Sequence, residues 1–413
     1  LQSHKPVLEQ DEAVGHAVRA GYMYSGMADV AAITGDSSYV RAIDRIWENI
    51  VGKKIYITGG IGARHEGEAF GDNYELPNLT AYNETCAAIG NVYTNYRLFL
   101  LHGDAKYFDV LERTLYNGLI SGVSLDGGRF FYPNPLACDG KYRFNADHTI
   151  TRQPWFGCAC CPSNISRFIP SLPGYVYAVK DDKVYVNLFL SNRAKLKVNG
   201  KNVVLEQETS YPWNGDIRLT VAKGNQPFVM NVRIPGWVRG SVLPGGLYSY
   251  ADGEELAYRV SVNGQEVKGA LQKGYLSIDR RWKKGDVVEI YFDMQPRVVK
   301  ANDKVAADRG RVAIECGPLV YCAEWPDNDF DISTLLLNRH PKFQVVEHPD
   351  LLGGINEITT RAQALSYDAT GRLAAKDVKL TLIPYYAWAH RGEGRMEVWL
   401  PIEVGAASAE LQE

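Results

Sequence analysis

The chain of 413 residues is long enough for two to three domains at roughly 150 residues each, so it can build ordinary cores without disulfide support. Its 45 Lys and Arg residues against 48 Asp and Glu residues leave a formal charge of −3, which argues against a nucleic acid partner. A hydrophobic content of 46% is typical of a folded protein and excludes general disorder. No apolar run is long enough to predict a membrane span.

The first 170 residues or so carry helical patterns. Apolar residues recur at helical spacing over residues 17–30 and 39–50, which predicts two amphipathic helices. Two more helices are predicted over residues 81–101 and 105–120. Between them, His102-Gly103-Asp104 offers a glycine that closes one helix and an aspartate that caps the next. Because this connection is short, the two helices are expected to be antiparallel.

The pattern changes near residue 174, where apolar residues begin to alternate with polar ones. Short runs such as 175–179 and 183–190 are bounded by Asp, Asn or Gly, which predicts a series of strands and hairpins. So many short strands are expected to pack as a β-sandwich. The last β-rich piece, residues 379–386 with 396–401, either completes that sandwich or forms a second one.

Three of the seven cysteines lie within four positions, in the segment Gly157-Cys158-Ala159-Cys160-Cys161-Pro162. Pro162 suits the first turn of a helix, which would place Cys160 and Cys161 at its positive N-terminal end. Thiolates are stabilised there, so the segment predicts a reactive thiol or a metal site. The simpler alternative is a set of small buried residues.

The segment Asn83-Glu84-Thr85-Cys86 supplies further ligand types. Within a helix, Glu84 and Cys86 would point away from each other, so they share a metal only if they lie in extended chain just before the helix begins. Together with Cys160 and Cys161 they provide one carboxylate and three thiolates, a set that favours tetrahedral zinc. By spacing alone this zinc is structural, because four protein ligands leave no position open for water.

A glycine-rich loop over residues 55–71 separates the second and third predicted helices and is longer than a connection requires. Its Gly60-Ile61-Gly62 does not predict a dinucleotide site, since no third glycine follows at the required spacing and no helix clearly begins there. Ordered loops of this length are typically functional. Taken alone, Glu68 within it is either a catalytic carboxylate or an ordinary exposed one.

Five motifs occur in order along the chain: Gly67-Glu68-Ala69-Phe70-Gly71, Asn83-Glu84-Thr85-Cys86, Leu111-Glu112-Arg113-Thr114-Leu115-Tyr116-Asn117, Phe131-Tyr132-Pro133-Asn134-Pro135-Leu136 and Cys158-Ala159-Cys160-Cys161-Pro162. Together they resemble family 127 of the glycoside hydrolases, the β-L-arabinofuranosidase family. The resemblance covers most of the chain, and its motifs are specific. It implies a multidomain α plus β protein in which part of an (α/α)6 helical barrel is followed by β-sandwich domains.

The resemblance also implies a role for individual residues. Cys160 corresponds to a zinc-bound nucleophile and Glu68 to the general acid/base. The implied zinc ligands are Glu84, Cys86, Cys160 and Cys161, and the implied sugar contacts are His16, Glu112 and Tyr132. From the residues alone, simpler explanations stay open: His16 as a half-buried helix residue, Glu112 as an ion-pair partner and Tyr132 as part of a core. A retaining glycosidase needs a nucleophile and a general acid/base, and here a cysteine sulfur takes the place of the usual carboxylate nucleophile.

The resemblance divides the chain into four parts. Residues 1–172 form the C-terminal part of the catalytic barrel, 173–300 a β-sandwich, 301–325 a segment returning to either domain, and 326–413 a C-terminal β-rich sandwich portion. A complete (α/α)6 barrel has six helical pairs, whereas fewer helices are predicted here and the chain begins without Met. We therefore expect the N-terminal half of the barrel to be missing, and the chain by itself to be weakly active or inactive and prone to associate.

The leading hypothesis is a retaining glycosidase that releases β-linked L-arabinofuranose, or a related furanoside, from an oligosaccharide or glycoconjugate. A related zinc-cysteine hydrolase for a different sugar is the second. The third is a zinc-stabilised carbohydrate-binding or structural protein without turnover. No nucleic acid or membrane partner is expected. Unpaired, metal-binding thiols favour the cytoplasm, while export stays open because a signal could precede the first residue.

Overall fold

The computed structural model describes residues 2–408, in which a helical region is followed by β-sheets. The helices are α1 Ala17–Thr34, α2 Ser37–Lys53, α3 Thr85–His102, α4 Ala105–Thr114, α5 Cys160–Phe168, α6 Pro173–Val176 and α7 Val404–Ser408. Within the described part of the chain, no helix combines the length and the apolar character that a membrane crossing requires. Residue 1 and residues 409–413, which belong to the first and last predicted domains, lie outside the described residues.

Helices α1 and α3 touch along their backbones. A Cβ added to Gly21 would lie 2.9 Å from the carbonyl carbon of Gly90, closer than real Cβ atoms approach. Ser25 and Thr94 continue this contact, with their hydroxyl oxygens 3.3 Å apart. The crossing therefore depends on the absence of a side chain at Gly21, and it sets the spacing between the first residues of α1 and those of α3.

The predicted junction between the third and fourth helices is confirmed. Gly103 ends α3 in the left-handed conformation with φ 61°, and the Asp104 side chain caps α4 by accepting a hydrogen bond from the Lys106 N–H at 3.0 Å. The fourth helix ends earlier than predicted, at Thr114, and continues as a π-helical turn over Leu115–Leu119. There the Gly118 N–H donates to the Thr58 carbonyl at 2.9 Å, which removes it from the helical ladder.

The strands are β1 Ala137–Asp139, β2 Tyr177–Lys180, β3 Lys183–Val186, β4 Asn192–Val198, β5 Lys201–Thr209, β6 Asp216–Lys223, β7 Asn225–Arg233, β8 Tyr248–Tyr250, β9 Tyr258–Val262, β10 Gln265–Glu266, β11 Tyr275–Lys283, β12 Val287–Phe292, β13 Pro296–Ala301, β14 Arg311–Cys316, β15 Leu319–Glu324, β16 Leu335–Leu337, β17 Gln344–His348, β18 Ile355–Tyr367, β19 Leu373–Pro384, β20 Arg395–Glu397 and β21 Leu400–Pro401.

These strands form a four-stranded sheet in the order β11-β7-β3-β2, a six-stranded sheet in the order β10-β9-β12-β6-β5-β4, and a larger sheet with the path β16-β18-β19-β15-β14-β13-β8. Burial alternates along β6 and β9, so one face of the six-stranded sheet packs on the core. The predicted fold class, helices followed by β-sandwich domains, is confirmed. In the larger sheet, β15 pairs with β19, so the predicted segment 301–325 shares a sheet with the C-terminal portion.

Candidate functional site

The cysteine motif opens into a pocket of about 490 Å³ in the helical region. Five chain segments meet there: the starts of α1, α3 and α5, the glycine-rich loop that carries Glu68, and the segment that carries Tyr132. Among the predicted site residues, those that line the pocket are His16, Glu68, Glu84, Cys86, Tyr132 and Cys160. The structure thus brings together residues that are up to 144 positions apart in a chain of 413 residues, from His16 to Cys160.

Four side chains converge at one end of this pocket. The Sγ atom of Cys160 lies 3.5 Å from that of Cys86 and 3.7 Å from that of Cys161. The Glu84 Oε1 atom lies 3.2 Å from the Cys160 sulfur and 3.4 Å from the Cys161 sulfur. These four ligand atoms all lie within 4.8 Å of one another. The spacing in the sequence predicted this group, and the structure places it together.

The backbone explains how Glu84 and Cys86 reach the same point. Glu84 is the residue that precedes α3, with φ −58° and ψ 138°, and Cys86 lies in the first turn of the helix. Asn83 before it has φ 42° and donates its N–H to the Gly62 carbonyl at 2.8 Å. The third helix therefore begins at Thr85 rather than at residue 81 as predicted. The expectation that both residues lie in extended chain before the helix holds for Glu84 and is wrong for Cys86, because the helix begins one residue before Cys86 and its first turn turns the thiol towards the same point.

These residues fit a zinc ion. Three sulfurs and one carboxylate are the donor types that zinc prefers at a tetrahedral site. Glu84 is only 2% exposed, and its Oε2 atom has no hydrogen-bond partner among the described residues, although burying such an atom without a partner is costly. Glu84, Cys86, Cys160 and Cys161 could hold the ion, and an ion there would give this orphaned oxygen the partner that it lacks.

The electrostatics of the cluster favour a thiolate on Cys160. Hydrogen bonds from Cys161 and Cys86 lower the pKa of the Cys160 thiol, and its position as the first residue of α5 adds the positive end of a helix. Burial raises the pKa of Glu84 to about 9, and it also raises the pKa of Cys161. Cys160 therefore stands out in the cluster as the sulfur that most readily loses its proton.

Glu68 lies on the glycine-rich loop and projects into the same pocket. Gly67 and Glu68 both adopt positive φ, 69° and 50°, which turns the chain sharply at this point. The loop is anchored to the start of α1, because the Phe70 N–H donates to the Gly15 carbonyl at 2.9 Å. The His16 Nε2 atom contacts the Glu68 Oε2 atom at 2.6 Å. The predicted acid/base and one predicted sugar contact thus form a direct pair.

One tyrosine hydroxyl connects Glu68 to Cys160. The Tyr132 Oη atom lies 3.3 Å from the Glu68 Oε1 atom and 3.2 Å from the Cys160 Sγ atom, so one hydroxyl touches both. These two contacts place the Cys160 sulfur and the Glu68 oxygen no farther apart than about 6.5 Å, the lower limit of the separation in inverting glycosidases. A separation at or below this limit is compatible with direct attack by Cys160.

Several pocket residues were missed from the sequence. Tyr82 donates a hydrogen bond from its hydroxyl to the Glu68 Oε1 atom at 3.1 Å, and its place directly before the Asn83-Glu84 motif was a signal for it. Tyr22 and Arg19 also line the pocket. With His16 they are spaced three residues apart along α1, a helical repeat that could have predicted a shared face.

Glu112 is not brought into this pocket. It is 2% exposed, and its Oε1 atom accepts hydrogen bonds from Arg233 Nη2 at 2.5 Å and from the Tyr211 hydroxyl at 2.8 Å. Arg233 lies on β7 of the following domain and forms a buried ion pair with the Glu112 carboxylate. The pocket that the structure describes therefore contains two of the three predicted sugar contacts, His16 and Tyr132, and Glu112 joins two domains instead.

Three family models match successive parts of the chain. A model described as β-L-arabinofuranosidase, GH127 catalytic domain, matches residues 1–174. The GH127 middle domain matches residues 183–294, and the glycoside hydrolase family 127 C-terminal domain matches residues 296–401. The helical region that carries the cysteine cluster falls within the first match.

Related proteins agree with these matches. The chain is 37% identical to a non-reducing end β-L-arabinofuranosidase of Bifidobacterium longum subsp. longum over 97% of this chain and 61% of that protein. A solved GH127 β-arabinofuranosidase is 75% identical with a TM-score of 0.95 over 98% of this chain and 63% of that one. A GH127 β-L-arabinofuranosidase from Geobacillus stearothermophilus T6 is 42% identical, with a TM-score of 0.89 over 97% and 62%. The chain thus spans about three fifths of the length of these relatives.

Proposed function

Because the chain belongs to glycoside hydrolase family 127, we propose that it carries the catalytic centre of a retaining glycosidase that releases β-linked L-arabinofuranose or a closely related furanoside. The observation that supports this most directly is the Tyr132 hydroxyl, 3.2 Å from the Cys160 sulfur and 3.3 Å from the Glu68 carboxylate. A nucleophile and an acid/base at short range are what a double displacement requires. The identity of the released sugar is inferred from the names of the relatives.

The proposal includes one zinc ion held by Glu84, Cys86, Cys160 and Cys161. When bound, zinc keeps thiol ligands deprotonated at neutral pH and holds them in a fixed arrangement. With zinc bound, the three thiolates and the Glu84 carboxylate would carry a total negative charge of about four. This charge leaves the Cys160 sulfur electron-rich enough to act as a nucleophile. Spacing alone suggested a structural zinc, whereas the pocket beside Cys160 supports a catalytic one.

In the first step, Glu68 donates its proton to the glycosidic oxygen while the Cys160 sulfur attacks the anomeric carbon. The bond from that carbon to the oxygen breaks, the leaving group departs as an alcohol, and a carbon–sulfur bond links the sugar to Cys160. Tyr132 holds both groups in line through its hydroxyl. Contact with His16 orients the other oxygen of Glu68.

In the second step, Glu68 is a carboxylate and accepts a proton from a water molecule that attacks the anomeric carbon. The carbon–sulfur bond breaks, Cys160 returns to its thiolate form, and the sugar leaves with its original configuration. Two inversions at one carbon give retention. Tyr82 supplies a hydrogen bond to the Glu68 Oε1 atom, so the carboxylate stays positioned through both steps.

The substrate in this proposal is an oligosaccharide or glycoconjugate that ends in L-arabinofuranose. His16 and Tyr132 are the residues that contact the sugar ring, since both line the pocket beside Cys160. The second hypothesis, the same chemistry on a different furanoside, shares every one of these residues. The cytoplasm as compartment, association of copies and weak activity of this chain by itself stay predictions.

Proton NMR of 4-nitrophenyl β-L-arabinofuranoside hydrolysis tests the proposal. We expect the zinc-loaded protein to release the β-anomer first, and Cys160→Ala to release no sugar. Release of the α-anomer first would contradict the double displacement. Binding of the glycoside without any release would instead support the third hypothesis, a zinc-stabilised carbohydrate-binding protein. An α-linked glycoside with the same leaving group serves as the control for linkage.

A further inference from the structure

Two arginines in the pocket have no part in the mechanism above. Arg19 on α1 and Arg167 on α5 line it together with Glu68 and Cys160. Among residues 2–408, neither guanidinium group forms an ion pair with a carboxylate. An arginine that stays unpaired in a concave site is available to a ligand, because its planar fork matches the geometry of a carboxylate.

The arginines lie at a defined distance from the chemistry. Arg167 follows Cys160 by seven residues, which is about 10 Å along the axis of α5. Arg19 follows His16 by three residues, about one turn along α1. Both helices begin at the reacting groups and lead away from them. The arginines therefore lie about one and two helical turns from the residues at the reacting groups.

Arg167 is held in place by neutral partners. Its Nε atom donates to the Asn164 Oδ1 atom at 3.0 Å, and its Nη2 atom donates to the Tyr22 hydroxyl at 3.1 Å. Tyr22 in turn donates to the same Asn164 oxygen at 3.1 Å. None of these contacts compensates the positive charge, and together they reduce the entropy that a ligand would lose by ordering the side chain.

The pocket is lined by groups of both charge types. Glu68, Glu84 and the cysteine cluster are its acidic groups, and Arg19 and Arg167 are its basic groups. A neutral furanose bound at Cys160 would leave both arginines without an anionic partner. From these two unpaired cations we infer that Arg167 and Arg19 recognise a carboxylate on the unit next to the released sugar. This inference rests on the proposed function and names its substrate class as an acidic glycan or conjugate.

A matched pair of glycosides tests the inference: 3-carboxybenzyl and 3-carbamoylbenzyl β-L-arabinofuranoside. The two have the same shape and similar leaving alcohols, and they differ in one negative charge. We expect kcat/KM of the zinc-loaded protein to favour the carboxylate about tenfold or more, which is the effect of one charge-assisted hydrogen bond. The preference should lie in KM and shrink as NaCl is added.

Variants separate recognition from a structural role. Arg167→Met should bring the ratio of the two kcat/KM values close to one, and Arg19→Met should lower it partly. A structural role would lower both kcat/KM values equally and leave their ratio unchanged. Arg41→Met, at an exposed arginine on α2 that does not line the pocket, is the control and should keep the ratio of the original protein.

Binding measurements keep this inference separate from the proposed function. Calorimetry with both glycosides gives an affinity ratio whether or not they are hydrolysed. Release of sugar from neither glycoside would contradict the glycosidase proposal, while a tighter fit of the carboxylate would still support the arginines as its receptor. Equal affinities and equal kcat/KM values for the two glycosides would overturn the inference, and so would a preference that survives in the Arg19→Met/Arg167→Met double variant.

Discussion

Glu112 and Arg113, consecutive residues of α4, form buried ion pairs with two different β-domains. Glu112 contacts Arg233 of β7 at 2.5 Å, and Arg113 contacts Glu315 of β14 at 2.6 Å. Arg233 also contacts Asp109, one helical turn earlier on α4, at 2.9 Å. A single helix of the catalytic region thus fixes both domains that follow it in the chain.

Arg233→Met should destabilise the protein strongly. It would leave the Glu112 carboxylate buried without a charged partner, which typically costs about 3–5 kcal/mol, while Asp109 keeps its ion pair with Arg239. Arg218→Met serves as the control, since the Arg218–Glu289 pair is half exposed and is expected to contribute no more than about 1 kcal/mol. Urea unfolding of both variants measures the difference. Equal losses of unfolding free energy would show that the buried network contributes little.

Elemental analysis should find about one zinc per chain. Cys86→Ala should lower this content, because it removes one of four ligands, and it should also lower the unfolding temperature by leaving the remaining ligands poorly paired. Cys316→Ala is the matched control, because Cys316 lies on β14 away from the cluster and should keep its zinc. Full zinc content in Cys86→Ala would rule out the proposed ligand set.

Cys160→Ser should retain the fold but lose turnover. A hydroxyl ionises far less readily than a thiol, so neither the helix end nor the neighbouring hydrogen bonds would make it a strong nucleophile. Glu68→Gln should also lower turnover while zinc content stays unchanged, since Glu68 is not among the four ligands. Circular dichroism checks the fold, and hydrolysis of the 4-nitrophenyl glycoside measures the activity. A Cys160→Ser rate equal to that of the original protein would refute the nucleophile assignment.

Tyr132→Phe should reduce kcat more than Tyr82→Phe does. Tyr132 touches both Cys160 and Glu68, whereas the Tyr82 hydroxyl touches Glu68 alone. Loss of one positioning contact at a reacting group costs on the order of 10²-fold in rate when the geometry shifts. Steady-state kinetics of both variants give the comparison. A smaller effect in Tyr132→Phe than in Tyr82→Phe would mean that the bridge does not position the nucleophile.

Acid should weaken the junction between the helical region and the C-terminal domain. Burial, and the nearby Arg152, lower the pKa of His390 to about 4, so the fold favours its neutral form. The unfolded chain binds this proton near pH 6.5. The contribution of His390 to stability is therefore present above about pH 6.5 and is lost as the pH falls towards 4.

Thermal unfolding at pH 7 and pH 4.5 measures this effect. His390→Asn lacks the titrating group, so its unfolding temperature should fall less between the two pH values than that of the original protein. The neutral ring uses both nitrogens: Nε2 accepts from the Leu125 N–H at 3.1 Å, and Nδ1 donates to the Ala387 carbonyl at 2.8 Å. An equal fall in both proteins would assign the acid sensitivity to other groups.

The parts of the site that depend on residues close in sequence were predictable, whereas the parts that depend on distant contacts were not. The members of each ligand pair, Glu84 with Cys86 and Cys160 with Cys161, are close in sequence. One carboxylate and three thiols are typical ligands of a metal ion, so these residue types indicated a metal site. The caps at Gly103 and Asp104 were predictable for the same reason. Glu112 was not, because its partner Arg233 lies 121 residues later and nothing in the segment around Glu112 signals it.

The helix boundaries also depend on distant contacts that the local sequence does not signal. Residues 81–84 have a helical pattern, yet backbone hydrogen bonds from Tyr82 and Asn83 to the glycine-rich loop hold them out of the helix. The hydrogen bond from Gly118 to Thr58 likewise alters the end of the fourth helix. In both places a tertiary partner replaces the helical one, and the sequence of the helix itself does not contain that information.

The contact between Gly21 and Gly90 sets the distance between two groups of residues in the site. His16, which orients Glu68, stands at the head of one helix, and Glu84 with Cys86 stand at the head of the other. Their separation is determined where the two helix backbones meet, about one helical turn further along each helix. A methyl group at Gly21 would widen that gap and would move the proposed proton donor relative to the sulfur. Gly21→Ala is therefore expected to disturb the alignment of the reacting groups as well as the packing of two helices.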